Sequence, residues 1–115
     1  MPVRDFTDYT INRAKNDPAF RRELLVGAVE AVANGEVGDA KLLLRDYVLA
    51  TDGFEAVAAA TGKKRESLSR MLSAGGNPTL ANLATLIAHL KGREDVTFVV
   101  RAEEPGGRAR EPQPA

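Results

Sequence analysis

"AVAAATGKKRESLSRML", residues 56–72, decides the fold. Ala58 is followed by Gly62 and then by Leu68, the spacing A-x3-G-x5-L. A small residue at 58 lets a second helix approach closely, and Gly62 can take the left-handed backbone of a tight turn at no side-chain cost. Leu68, Met71 and Leu72 then form the apolar face of the second helix, and Val57 and Ala58 that of the first. This spacing predicts a helix-turn-helix, the arrangement whose second helix enters the major groove of DNA.

The opposite face of that second helix is basic. Lys64, Arg65 and Glu66 stand at its start, with Ser69, Arg70 and Ser73 one and two turns on, away from the apolar side. Arg65 or Arg70 could fork onto a guanine edge, whereas Lys63 and Lys64 suit phosphates, which fix register without carrying sequence information. Ser69 suits either. The plainer reading is a solvated basic helix face, and charge alone does not separate the two.

Upstream, Asp17 and Pro18 open a helix that Asn34-Gly35 closes, with Phe20, Leu24, Leu25, Ala28, Val29 and Val32 on one face. A shorter helix is expected from about Phe6 to Lys15. The following segment, ending near Asp52-Gly53, turns Val37, Leu43, Leu44, Tyr47 and Val48 inward. Downstream, Gly75-Gly76 end the second helix of the motif. Asn77, Pro78 and Thr79 start another, with Leu80, Leu83, Ala84, Ile87 and Leu90 inward, and Gly92 is expected to stop it.

The period then changes. In "DVTFVVRAE", residues 95–103, Val96, Phe98 and Val100 alternate with Thr97, Val99 and Arg101, which reads as one strand. A lone strand needs a partner, and pairing of Val96, Phe98, Val99 and Val100 across a two-fold axis would supply it. The expectation is therefore an all-α fold of five to six short helices with a central helix-turn-helix, plus one C-terminal β-strand paired across a dimer. It divides into an N-terminal helical extension, 1–52, a DNA-binding domain with its terminal strand, 53–102, and a disordered tail, 103–115.

A chain of 115 residues supports one compact core. The formal net charge of zero conceals an asymmetry, since residues 53–101 carry +3 and residues 1–52 carry −2. The absence of cysteine excludes disulfides, thiolate metal sites and cysteine nucleophiles. No run approaches the ~20 apolar residues of a membrane span, and the N-terminus lacks the apolar stretch of a secretory signal, so a cytoplasmic protein is expected. "TGKK" is not a phosphate loop, because Val57 stands where that motif needs Gly and Lys64 where it needs Ser or Thr. His89, the single histidine, has no carboxylate at helical spacing to orient it. No enzyme activity, cofactor or metal is expected.

Residues 53–100, including "SLSRMLS" and "GNPTL", resemble the addiction-module antidote proteins, the HigA-like antitoxins of the lambda-repressor-like helix-turn-helix superfamily; "NGEVGDAKLLLRDYV" fits the lead-in of some members more loosely. The resemblance implies a homodimeric repressor that binds operator DNA near its own gene and, in many members, neutralises a RelE-like toxin. It maps the DNA contacts onto Lys64, Arg65, Glu66, Ser69, Arg70 and Ser73. Three positions depart from the pattern. Phe54 stands where phage-type repressors have a phosphate-contacting Gln, Lys63 replaces an apolar turn residue, and Ser69 replaces a larger side chain. A second expectation, of a different class, is a protein-interaction module in which the motif is scaffold and binds no specific DNA. Glu23, Glu30, Glu36, Asp39 and Asp46 are its candidate contacts with a basic partner.

Overall fold

The computed structural model describes residues 6–105 and 108–109. Six helices follow one another as α1 (Phe6–Asn16), α2 (Pro18–Ala33), α3 (Val37–Ala50), α4 (Gly53–Thr61), α5 (Arg65–Met71) and α6 (Leu80–Glu94). The fold is all-α. Asp17 opens α2 as expected, its Oδ1 accepting from the Phe20 amide at 3.1 Å with Pro18 at the first helical position. Asn34 closes the helix, its amide donating to the Glu30 carbonyl at 3.0 Å.

The first three helices pack on one another, α2 most extensively on α3, and α3 in turn meets α4. Leu24, Leu25 and Ala28 of α2 face Leu44, Tyr47 and Val48 of α3 in a core that continues through Phe54 and Val57 to Leu68, Leu83, Leu86 and Leu90. Leu44, Tyr47, Val48, Val57 and Leu90 are fully shielded from solvent. The apolar burial thus runs without a break across residue 52, and the N-terminal helices form part of the same core as the motif.

Several expectations change. Helix α6 does not stop at Gly92; it continues to Glu94 and ends where Asp95 takes a left-handed conformation, φ 54°. A glycine inside a helix costs only about 1 kcal/mol, and Glu94 repays it by entering a buried network. Leu80 is 73% exposed and Val37 is 40% exposed, because each is the first residue of its helix and precedes the packed face. Leu86 is buried, while Ala84 is exposed. Residues 96–100 form no strand within the chain. Phe98 packs against the core, whereas Val99 and Val100 stand in solvent. Within the expected tail, β1 (Glu103–Glu104) pairs antiparallel with β2 (Arg108–Ala109). Residues 106–107 and 110–115 of that tail lie outside the described residues.

Glu94 joins α6 directly to α2 and α3. Its Oε2 accepts from Arg21 Nε of α2 at 3.0 Å, from the Tyr47 hydroxyl of α3, and from its neighbour Arg93 at 3.2 Å. Arg93 also donates to Asp52, just before α4, at 3.0 Å, and Arg21 reaches the Ala14 carbonyl of α1 at 3.1 Å. Burial alone would push the Glu94 carboxyl up. The hydrogen bonds from Tyr47 and Arg21 and the charges of Arg21 and Arg93 outweigh it and hold the group below its ordinary value. Burial, then the hydrogen bond to Glu94, pushes the Tyr47 phenol up, so it stays a donor.

A carboxyl held low in the folded state stabilises above its ordinary pKa, about 4.3, and that contribution disappears as pH falls through the folded value. Glu94→Gln is therefore expected to cost about 3–5 kcal/mol at pH 7, as removal of one partner from a buried ion pair does. The gap to the parent chain should narrow as pH is lowered from 7 through the folded value. Urea unfolding at pH 7 and at lower pH checks both the size and the direction.

Candidate nucleic-acid interface

Helices α4 and α5 are joined by the three residues Gly62, Lys63 and Lys64. Gly62 is left-handed at φ 71° and caps α4, and the Lys63 amide donates to the Ala58 carbonyl at 3.0 Å. A side chain at 62 would be strained by the backbone alone, roughly 1–2 kcal/mol. Lys64 is extended at φ −77°, ψ 141°, and its carbonyl accepts the first α5 bond, from Leu68, at 3.1 Å. Leu68, Met71 and Leu72 are buried, as are Val57 and Ala58 opposite them. The spacing read from the sequence therefore produces the expected packing of one short helix on the other.

That packing leaves Lys64, Arg65, Glu66, Ser69 and Arg70 exposed on the outer face of α5. Among the described residues, none of Lys64, Arg65 and Arg70 joins an ion pair, so their charges are available to an external anion. Two residues of the expected set lie elsewhere. Lys63 is half-buried and its Nζ donates to Asn82 Oδ1 of α6 at 2.8 Å, bracing the turn against the next helix. Ser73 lies beyond the end of α5, half-buried, its hydroxyl donating to the Arg70 carbonyl at 2.7 Å.

Between α5 and the start of α6 lies a cleft of about 440 Å³, lined among others by Lys63, Lys64, Arg70, Asn77, Thr79 and Asn82. Among the described residues no carboxylate lines it. Thr79 caps α6 by accepting from the Asn82 amide at 3.1 Å. The far wall depends on Gly76, since a Cβ there would fall 2.1 Å from the Arg70 carbonyl oxygen and 2.6 Å from that of Met71. The loop can therefore lie flat on the last turn of α5 only with glycine at 76.

Two participants were missed by the sequence reading. Lys41 is only 8% exposed, and Glu94 likewise 8%. Each had a signal. Lys41 precedes Leu44 and Val48 on the apolar stripe of α3, and Glu94 follows Leu90 by one turn on that of α6. Asp46, a candidate contact for a basic partner, is buried and does not face solvent. His89 is half-buried on α6. Among the described residues no group of three His, Asp or Glu could hold a metal ion, and no helix is long and apolar enough to cross a membrane.

Gly76→Ala is expected to lower stability by about 1–3 kcal/mol through this overlap, read by chemical denaturation, with the end of α5 as the region displaced. Comparison with family models, curated proteins and solved structures finds no match to this chain.

Proposed function

We propose that the protein is a DNA-binding transcriptional regulator of the antitoxin type, which represses its own operon as a homodimer in the cytoplasm and neutralises a RelE-like toxin. The observation that carries the DNA half is the outer face of α5, where Lys64, Arg65 and Arg70 are exposed and make no ion pair among the described residues. Cations left without internal partners on a helix held by its other face suit a polyanion, and phosphate neutralisation is the main source of affinity for DNA. Arg65 and Arg70 are the base readers of this proposal. Lys64 supplies phosphate contact, with Glu66 and Ser69 beside it; Lys63 and Ser73 support the turn and the helix end.

A second surface supports the protein-binding half. A groove of about 1030 Å³ runs between α2 and the segment from Phe98 onward, with Val26 and Val29 on the helix side and Glu30, Glu36, Glu103 and Glu104 along it. Four glutamates against Arg101 leave its lining acidic on balance, which suits a basic protein. The exposed Val99 and Val100 are the proposed contact with the second copy.

Fluorescence anisotropy with the DNA immediately upstream of the gene, against scrambled DNA at two salt concentrations, tests the reading. Tight, sequence-dependent binding that weakens with salt is expected; equal binding to both DNAs would leave the motif as scaffold and favour the protein-interaction alternative. Arg65→Ala and Arg70→Ala are each expected to weaken operator binding by about 1–3 kcal/mol and to leave toxin binding unchanged. Val99→Pro is expected to favour monomers, and an intact dimer in sedimentation would remove residues 96–100 from the interface.

A further inference from the structure

Lys41 lies in α3, the helix that precedes the helix-turn-helix, and its ammonium is buried rather than offered to solvent. Nζ donates to the Gly76 carbonyl at 2.7 Å and to the Ala74 carbonyl at 3.1 Å. Both acceptors belong to the loop that leaves α5. Among the described residues Lys41 joins no ion pair, so these two carbonyls are what compensate its burial. An ammonium removed from water is costly unless hydrogen-bonded, and an apolar side chain of similar length would fill the same space without that cost.

The loop that Lys41 holds is coupled tightly to α5. The Ser73 amide donates to the Arg70 carbonyl at 3.1 Å, and the Gly76 amide donates to the Ser73 carbonyl at 3.0 Å. Gly76 itself lies against the Arg70 and Met71 carbonyls, with no room for a Cβ. Fixing Ala74 and Gly76 therefore fixes the last turn of α5, and with it the origin of the Arg70 side chain.

We infer that Lys41 is a positioning residue for the DNA-reading face, a clasp from α3 that sets the end of α5 through the Ala74 and Gly76 carbonyls. The DNA part of the inference rests on the function proposed above, whereas the clasp does not. Lys41 acts without touching DNA, because its donor group is shielded and already engaged. A groove of about 540 Å³ lined by Leu42, Arg45, Leu72 and Ser73 opens beside it, so water can reach the carbonyls once the ammonium is removed.

The test uses Lys41→Met and Lys41→Arg in the full chain, with hydrogen exchange across residues 70–76 and DNA anisotropy over a salt series. Folded Lys41→Met should exchange about tenfold faster at the amides of Ser73 and Gly76. Its preference for upstream over scrambled DNA should fall at least fivefold, by about the same factor at each salt concentration, because no phosphate contact is lost. Lys41→Arg, which keeps charge and donors, should recover most of both. Unchanged exchange in folded Lys41→Met would overturn the clasp, and a salt slope reduced by about 0.9 would make Lys41 a direct phosphate contact instead. If Lys41→Met does not fold, Lys41→Gln replaces it under the same criteria, and failure of both with rescue by Arg would overturn positioning in favour of a folding role. If the parent chain shows no preference between the DNAs, the proposed function fails, and exchange alone decides the clasp.

Discussion

The buried carboxylate of Glu94 is the constraint on which the arrangement of the helices depends. Apolar contacts hold α2 on α3 and α5 on α4, but such contacts are not directional and permit sliding. Glu94 supplies direction. It binds Arg21 of α2 and Tyr47 of α3, while its neighbour Arg93 binds Asp52 at the start of α4. A buried ion pair adds little net stability compared with apolar packing, and its charge must be matched in one geometry. That requirement ties α6 to the N-terminal helices at its C-terminal end.

The two ends of α6 thus serve different tasks. The C-terminal end is anchored by Glu94 among the first three helices. The N-terminal end, capped by Thr79, braces the turn of the motif through Asn82 and Lys63. Helix α5 contributes only seven residues and would not persist as an isolated helix. Its orientation comes from Leu68, Met71 and Leu72 beneath it, from Lys63 at its start and from the loop clasped by Lys41 at its end.

What was legible in the sequence was local. Asp17-Pro18, Asn34-Gly35 and Gly62 mark helix ends by backbone chemistry that each residue carries with it, and the positions agree with the structure. The apolar face of α5 was legible for the same reason, as was the exposure of Arg65 and Arg70 opposite it. Gly92 misled because a tertiary partner, Glu94, kept the helix going beyond it. Lys41 and Glu94 were missed because a charged residue on an apolar stripe shows its purpose only when the partner is known, and those partners lie 33 or more residues away in the chain. Lys63 resembled its basic neighbours, and only the proximity of Asn82 separates it from them. The segment at 96–100 has the alternation of a strand, but pairing needs a second edge that the chain does not place beside it.

The continuous core also has a consequence for modularity. In the sequence, residues 53–102 read as a self-contained unit, which invites transplantation onto another protein. Cut at residue 52, such a graft would carry Glu94 away from Arg21 and Tyr47, and the α5–α6 loop away from Lys41. It would also strip α4 of its packing against α3. The unit that evolution could shuffle is therefore the six-helix body as a whole, and the exposed side chains of α5 are the part that can change without disturbing that core.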